Sequence, residues 1–539
     1  MAKCIRGLRL CRSRSKPHLL RIEIKTSNFR PSDRRICTKI NMETSTVIYI
    51  ILGLLAYIYL YFKRKFNYWQ NMGVPFIKPT IPLGNIQGFK RRFHSSELMQ
   101  NFYNHFKASK ERFGGLYFFT KPAILVLDLD LIKWILIRDF EFFQDRGLFY
   151  NEKDDPLSAH LFSLEGKKWR NLRAKLTPTF TSGKMKFMFP TIVEVGNEFQ
   201  ETLTSLVTTQ TEVEIKELLA RYTTDVIGTC AFGIECNSLK DPNAQFRRMG
   251  KKVFEVPKNS ALKQMFMLTF KKLAHLLRLT TTDEEVSEFF MRIVKETVAF
   301  REQNNIQRND FMDLLMQLKK TGRLDGEQAG GVAGTLTMEE IAAQAFVFFL
   351  AGFETSSTTM TYCIYELALN QAIQDKAREI IEEVLERHAK KLFYFFSIPE
   401  SLRKYPPGAN LIRNATRDYM FPGTLGKSRL EKGCSVWIPV YAIHHDPDIY
   451  PNPEIFDPER FTPEAVGRRH PQAFLPFGDG PRNCIGLRFG MMQARVGLVT
   501  LLKHFRFKTC SKTNIPLTFS KRSIVLSPEG GLWLNVEQI

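Results

Sequence analysis

Two stretches of the chain hold residue types that could do chemistry. The first is Phe477-Gly478-Asp479-Gly480-Pro481-Arg482-Asn483-Cys484-Ile485-Gly486. Two glycines and a proline predict a tight, unusual loop. Cys484 stands in that loop just before a helical stretch that opens at Leu487. Amides at such a junction can donate to the sulfur and favour its thiolate, and Arg482 adds a fixed cation two residues away. A lone cysteine is also a common buried structural residue, so that reading stands beside the thiolate one. A dinucleotide loop fails: the third glycine is missing from its offset and no βαβ unit surrounds the motif. The second stretch is Gly352-Phe353-Glu354-Thr355-Ser356-Ser357-Thr358-Thr359. A carboxylate beside a hydroxyl can pass protons. Helical hydroxyls can instead bond back to their own carbonyls, which is the expectation for Thr358 and Thr359 rather than Thr355.

These residues need elements to hold them. Thr337-Met338-Glu339-Glu340 is a capping box, in which the Thr oxygen caps the first turn and Glu340 reaches back. A long helix is predicted from Ile341 through Ala351 to about Asn370, apolar on nearly all sides, as befits one running through a domain's middle. The acid and hydroxyls inside it argue against a membrane span. Short β patterns occur at Ala123–Leu127 and Ser435–Val440, and Pro, Asp and Asn cluster from Asp446 to Pro463. The fold class is mainly α with a minor β-sheet region.

Phe477, Gly480, Arg482, Cys484 and Gly486 complete the F-x-x-G-x-R-x-C-x-G signature, and the chain after Met42 resembles the cytochrome P-450 monooxygenases over almost its whole length. Ala351-Gly352-Phe353-Glu354-Thr355-Ser356 is similar to that family's oxygen-activation step, Trp169-x-x-x-Arg173 to its propionate-binding helix, and Glu400-x-x-Arg403 with Pro458-Glu459-Arg460-Phe461 to its buried ion-pair elements. The wording is closest to insect microsomal, xenobiotic-metabolising members. The resemblance implies a cytochrome P-450 fold and haem (iron protoporphyrin IX) as cofactor. It implies Cys484 as axial ligand of the haem iron, and Trp169, Arg173, Arg413 and Arg482 as propionate donors. Thr355 would bond bound dioxygen, Glu354 would relay protons, and Glu400, Arg403 and Arg460 would form a structural network. A cation–aromatic pair between Trp169 and Arg173 on one helix face is the alternative, and the motif context favours the haem role over it. The Asp155 to Phe162 loop would cover the haem, with His160 and Leu161 toward the pocket. Phe346, Phe349 and Ala351 on the central helix and Gly530 to Leu532 near the end are further pocket candidates; ordinary core packing is an equal reading for the phenylalanines. Implied partners are an NADPH-cytochrome reductase, a cytochrome b-type donor, O2 and a small lipophilic substrate. Lys168, Arg170 and Arg488 are candidate cations for docking an acidic reductase.

The chain has 539 residues and a formal charge of +22. Such a surplus reads first as nucleic-acid or membrane affinity. Residues 1–41 hold twelve Lys or Arg and two acids, Glu23 and Asp33, so nearly half the surplus lies in a short arm. No nucleic-acid role is expected. Residues 44–62 are uncharged, about enough to cross ~30 Å of hydrocarbon. Lys63-Arg64-Lys65 follow, which places the rest of the chain on the cytosolic side of the endoplasmic reticulum membrane. A buried core helix would show a polar face, and a cleaved signal peptide an A-x-A-like site; neither is present. The expected organisation is a basic extension over 1–41 lying upstream of a working start at Met42, an anchor over 44–62, a basic, proline-rich linker over 63–84, and the haem domain over 85–539. Nine scattered cysteines without a C-x-x-C pair fit a reducing compartment.

One stretch departs from the family. Eleven positions separate His388 from Glu400, and Ala389 to Pro399 reads as unrelated sequence, as at a misread exon boundary. Pro399 is expected at or before a helix start. Glu400 to Tyr405 is then under two turns, which predicts a loosened ion-pair network and poor haem retention. A non-catalytic or defective haem protein is therefore the alternative to the monooxygenase. A thiolate-haem isomerase that uses no O2 is disfavoured by Glu354-Thr355.

Overall fold

The computed structural model describes residues 8–12, 19–24, 40–254, 260–308, 310–322, 334–386, 397–422 and 429–539. The chain divides into two compact units, Met1–Asn71 and Met72–Ile539.

In the first unit, Leu8–Arg12, Leu19–Ile24 and Ile40–Glu43 form an antiparallel sheet in that order. A helix follows over Thr44–Phe66, with Lys63, Arg64 and Lys65 in its last turn. Its apolar side chains are bare: Tyr49 is 73% and Leu60 61% exposed. Water penalises such a continuous apolar cylinder, and lipid does not. Thr46–Asn71 is one candidate membrane span among the described residues, with a mean hydropathy of 1.8.

The second unit is mostly helical and is built around one helix, Met338–Leu369, 32 residues long. The capping box forms as expected: Thr337 N–H donates to Glu340 Oε2 at 2.9 Å, and Glu340 N–H to Thr337 Oγ1 at 3.2 Å. Nearly every side chain of this helix is buried, because helices lie against it on several sides. The closest is Ile215–Ile227. Gly352 allows that approach, since a Cβ there would lie 2.6 Å from Ile227 Cδ1. Leu487–His504 packs against another face of the central helix, where Gly490 comes opposite Ser356.

The two β patterns expected as scattered strands are neighbours. Phe113–Phe118, Lys121–Val126, Ser435–Ile438 and Leu411–Asn414 form one sheet in that order. Ser435 pairs with Ala123 in parallel, and Val436 pairs with Arg413 in antiparallel register. A second sheet joins Phe505–Thr509, Trp533–Gln538 and Glu212–Glu214.

The proline-rich stretch differs from the expected linker. Ile77 N–H donates to Gly115 O, Asn85 N–H to Tyr117 O, and Gly115 N–H to Pro75 O. Extended X-Pro backbone leaves its polar groups free for the edge strand Phe113–Phe118. From Met72 onward, this stretch is part of the second unit.

The Glu400 helix also differs from expectation. It runs from Ser397 to Lys404, with Pro399 in its first turn, where a missing N–H costs nothing. Ser397, Ile398 and every residue from Glu400 to Lys404 are buried. The short helix therefore does bury a full surface. Its clasps are side chains: Lys404 Nζ pairs with Glu366 Oε1 of the central helix at 2.8 Å, Tyr405 OH donates to the same oxygen at 2.5 Å, and Tyr405 stacks on Tyr362 at 4.3 Å. Most of the anomalous 389–399 stretch lies outside the described residues.

Candidate haem site

The Cys484 loop is shaped by glycine. Gly478 and Gly480 have φ of +68° and +71°, and a Cβ on Gly480 would lie 1.9 Å from Leu136 O. No other residue fits there. Asp479 accepts the Gly480 N–H at 2.7 Å, Cys484 N–H donates to Phe477 O at 2.9 Å, and Gly490 N–H donates to Gly486 O at 2.8 Å. The loop thus delivers Cys484 to the N-terminal end of Leu487–His504. Enclosure by the protein pushes the free thiol's pKa up, opposed by the Gly486 amide and by the charges of Arg173 and Arg146. Yet Cys484 presents open surface. A side chain both enclosed and open lines an internal void. Ala351 does the same, exposed in the middle of the buried central helix between Phe349 and Phe353.

Four arginines gather beside this cysteine, and each feels its neighbours. Arg413 is 1% exposed, held by its strand, with Nη1 on Ile412 O at 2.9 Å and Nε without a partner. Arg482 is 2% exposed and donates to Gln144 O and Leu164 O; its Nε is also unpartnered, and Asp145 lies 3.7 Å away. Burial lowers Arg413 to about 10; burial and then the Arg413 charge lower Arg482 to about 9. Arg173 reaches Asn483 O and Oδ1 at 3.0 and 2.9 Å. Arg146, which the sequence reading missed, bonds Phe162 O at 3.1 Å and Arg482 O at 3.3 Å. It lies 4.0 Å over the Phe162 ring. Enclosure, then Arg482 and Arg413, hold its pKa well below the usual value. Arg146, Arg173 and Arg413 have no carboxylate partner among the described residues. Buried cations without counter-ions are costly, and their unused donors call for anions. Two propionates meet that need, so the residues present fit a haem whose iron faces Cys484. No short motif marks Arg146; only its place in the fold does.

Trp169 is buried, and the cation over its ring at 4.6 Å is Arg482, not Arg173. The pairing weighed for Trp169 and Arg173 is therefore not the one formed. Phe477 and Gly486 flank the loop as expected, both half-buried.

On the central helix, Thr355 follows Ala351 by one turn on the same face. Its Oγ1 donates to Ala351 O at 2.6 Å. Back-bonding was expected at Thr358 and Thr359 instead. Thr359 does bond Thr355 O at 2.9 Å, but the Thr358 hydroxyl is buried without a partner. Back-bonding thus forms at Thr355 and Thr359 and not at Thr358. Glu354, 8% exposed, is paired with Lys216 Nζ at 2.8 Å, and Lys216 also donates to Ser357 Oγ at 3.1 Å. The acid is thus held by a cation from the neighbouring helix.

The Asp155–Phe162 loop is clamped to three elements. Asp155 Oδ2 accepts from Thr281 N, Thr281 Oγ1 and Thr282 N at 2.8, 2.7 and 3.0 Å. Leu161 N–H donates to Gln344 Oε1 of the central helix at 2.9 Å, and Arg146 takes Phe162 O. Gln344, Ala351 and Thr355 share one helix face, so the loop stands near the Ala351 end of the void. His160 is half-buried near Ser163 Oγ, and burial lowers it to about 4, so it is neutral.

Two pocket candidates are corrected. Phe346 is 3% exposed, with its ring 5.0 Å from Phe290 in the aromatic core, so it offers the void almost no surface. Phe349 is likewise core. The Gly530 turn is held by the neighbouring helix: Leu532 N–H donates to Glu214 Oε1 at 2.7 Å, and a Cβ on Gly531 would press on the same carboxylate. Glu214 caps the Ile215–Ile227 helix, whose Lys216 pairs with Glu354, and a Cβ on Gly530 would meet open space.

The ion-pair network is closed, where a loosened one was expected. Arg403 Nε and Nη2 bind Glu400 Oε2 and Oε1 at 2.8 and 2.7 Å, with both residues fully buried. Arg460 Nε lies 3.6 Å from Glu400 Oε1, and Asp457 N–H donates to the same oxygen at 3.1 Å. The clasps on the central helix substitute for length in the Glu400 helix.

The family model for cytochrome P450 matches residues 75–535. The chain is 50% identical over 508 residues to Cytochrome P450 6a2 of Drosophila melanogaster, covering 92% of this chain and 99% of that protein. It is 46% identical over 511 residues to Cytochrome P450 6A1 of Musca domestica, with the same coverage. The enclosed cysteine and the three arginines without carboxylates agree with these matches. The chain belongs to the cytochrome P450 family, and with it to the haem-dependent monooxygenases among the oxidoreductases.

Proposed function

We propose that the protein is a membrane-anchored monooxygenase that takes electrons from NADPH through a flavin reductase and oxidises small lipophilic molecules, foreign or endogenous. The observation that carries this reading is the open Cys484 among arginines that lack carboxylates. When bound, the haem supplies oxygen activation, and a thiolate ligand favours O–O cleavage. Cys484 is that ligand. Arg146, Arg173, Arg413 and Arg482 hold the propionates, with Trp169 backing Arg482. Thr355, whose hydroxyl now rests on Ala351 O, would hold a proton at the oxygen side, and Glu354, paired with Lys216, would be the acid that resupplies it. The Asp155–Phe162 loop, with His160 and Leu161, shapes the substrate end beside Ala351. Glu400, Arg403 and Arg460 are scaffold.

The bare helix Thr44–Phe66 and its basic end support an anchor with the second unit on the cytosolic side of the endoplasmic reticulum. On this reading residues 1–41 lie upstream of a working start at Met42. N-terminal sequencing of the native protein checks it, with Met42 the expected first residue. Among the docking cations, Arg170 and Arg488 face neutral partners, Gln144 and Ser182, whereas Lys168 is paired with Glu152 at 2.7 Å. Reductase contact therefore rests on the first two.

The test is reconstitution of the full chain with NADPH-cytochrome reductase in phospholipid vesicles, against a panel of lipophilic compounds. Product that needs both NADPH and O2, and vanishes in Cys484→Ser, is the expected result. A haem-loaded protein that oxidises none of the panel and consumes no NADPH would support the non-catalytic alternative.

A further inference from the structure

We propose that His444 is a positioning residue for the haem thiolate: its neutral imidazole ties the Glu400–Arg403 pair to the loop that carries Cys484. His444 ends the helix Val440–His444 and is fully buried. Its Nδ1 lies 3.0 Å from Arg403 O, and its Nε2 lies 3.0 Å from Leu475 N. A backbone amide can only donate and a carbonyl only accept. The ring must therefore carry its proton on Nδ1 and leave Nε2 bare. The link is reciprocal, because Arg403 Nη1 donates to His444 O at 3.0 Å. Phe474 stacks on the ring at 5.5 Å and holds its plane.

From Leu475 the chain of bonds runs on to the cysteine. Gly478 N–H donates to Leu475 O at 3.0 Å, closing the turn that contains Phe477, and Phe477 O accepts the Cys484 N–H at 2.9 Å. Leu475 is 1% exposed, so no solvent competes for its amide. The path from a fully buried ion pair to the sulfur thus passes through one imidazole. The imidazole presents its donor and its acceptor on one rigid ring, so both partners are met at once. Asparagine reaches Arg403 O but not Leu475 N–H; glutamine, one carbon longer, places its carbonyl oxygen near the Nε2 position.

This inference rests on Cys484 as the haem ligand. The experiment compares His444→Gln, His444→Asn and His444→Phe in the full-length, haem-loaded protein. It reads the carbon monoxide spectrum of the reduced haem, the reduction potential, and amide exchange over residues 475–484. Melting temperature serves as the fold control. The expected result is that Asn converts most of the protein from the thiolate to the thiol spectral form and speeds exchange at Leu475 and Cys484 at least 10-fold, whereas Gln keeps the thiolate form. Phe should resemble Asn. If Phe does not fold, the Gln–Asn pair decides. Asn and Gln variants that both keep the wild-type spectrum, potential and exchange would overturn the proposal, as would equal losses in both. Failure of the Cys484 reading is distinct: the unsubstituted protein would itself lack the thiolate band.

Discussion

The two walls of the void are built differently. On the cysteine side, the parts are close in sequence or locked by buried charge: a ten-residue loop, a bidentate Glu400–Arg403 pair with no exposed surface, and a glycine whose Cβ would strike a carbonyl at 1.9 Å. On the oxygen and substrate side, a few hydrogen bonds join distant elements, Leu161 to Gln344 and Asp155 to Thr281 and Thr282, while Thr355 bonds only its own helix. Rigid ligation and adaptable substrate contact ask for different materials. The first wall tolerates almost no change; the second can alter without loss of the haem.

Cys484→Ser is the sharpest way to break the comparison: it should abolish the thiolate spectrum and turnover while leaving the fold, measured by circular dichroism and anchored vesicle binding. Arg403→Ala should come next. It strands Glu400 in a buried site and should destabilise by about 3–5 kcal/mol, with loss of haem. Thermal unfolding and haem content check it; a loss near zero would show that the pair does not hold the cysteine wall. Thr355→Ala should leave haem and its carbon monoxide spectrum intact and slow product formation by on the order of 10²-fold relative to NADPH consumed. Gln344→Leu should cost about 1 kcal/mol of loop anchoring and change KM and product distribution with an unaltered haem spectrum.

The smallest effect is on pH. Burial holds His94 and His160 at about 4, against 6.5 for the free residue. Between those values the unfolded chain takes up protons that the folded chain does not. Stability should therefore fall as pH drops from about 6.5 to 4, and be fully present above that window. Melting temperatures at pH 7 and pH 5 test this, and His160→Gln should lessen the loss through the substrate side alone.

Much of the cysteine wall was legible because its geometry is local. The glycines announce the turn, Cys484 sits at its end, and Thr337 with Glu340 announces the central helix. Arg146 and His444 were not legible: an arginine followed by glycine and a histidine in a loop-rich stretch carry no local signature. Their partners, Arg482 and Leu475, lie hundreds or tens of residues away. The short Glu400 helix was misjudged because length was weighed and side-chain clasps were not.

By itself, the sequence determined the local conformations and the chemical types: a loop that only glycine permits, a cysteine at a helix start, an apolar helix interrupted by Glu354 and Thr355, and an uncharged apolar segment ending in cations. These follow from φ, ψ, capping and hydropathy, which act within a few residues. The tertiary structure decided which charges meet. It left three arginines beside one sulfur without carboxylates, turned Glu354 to Lys216, and packed Phe346 away from the void. Burial and electrostatics act through space, and only the folded chain sets those distances.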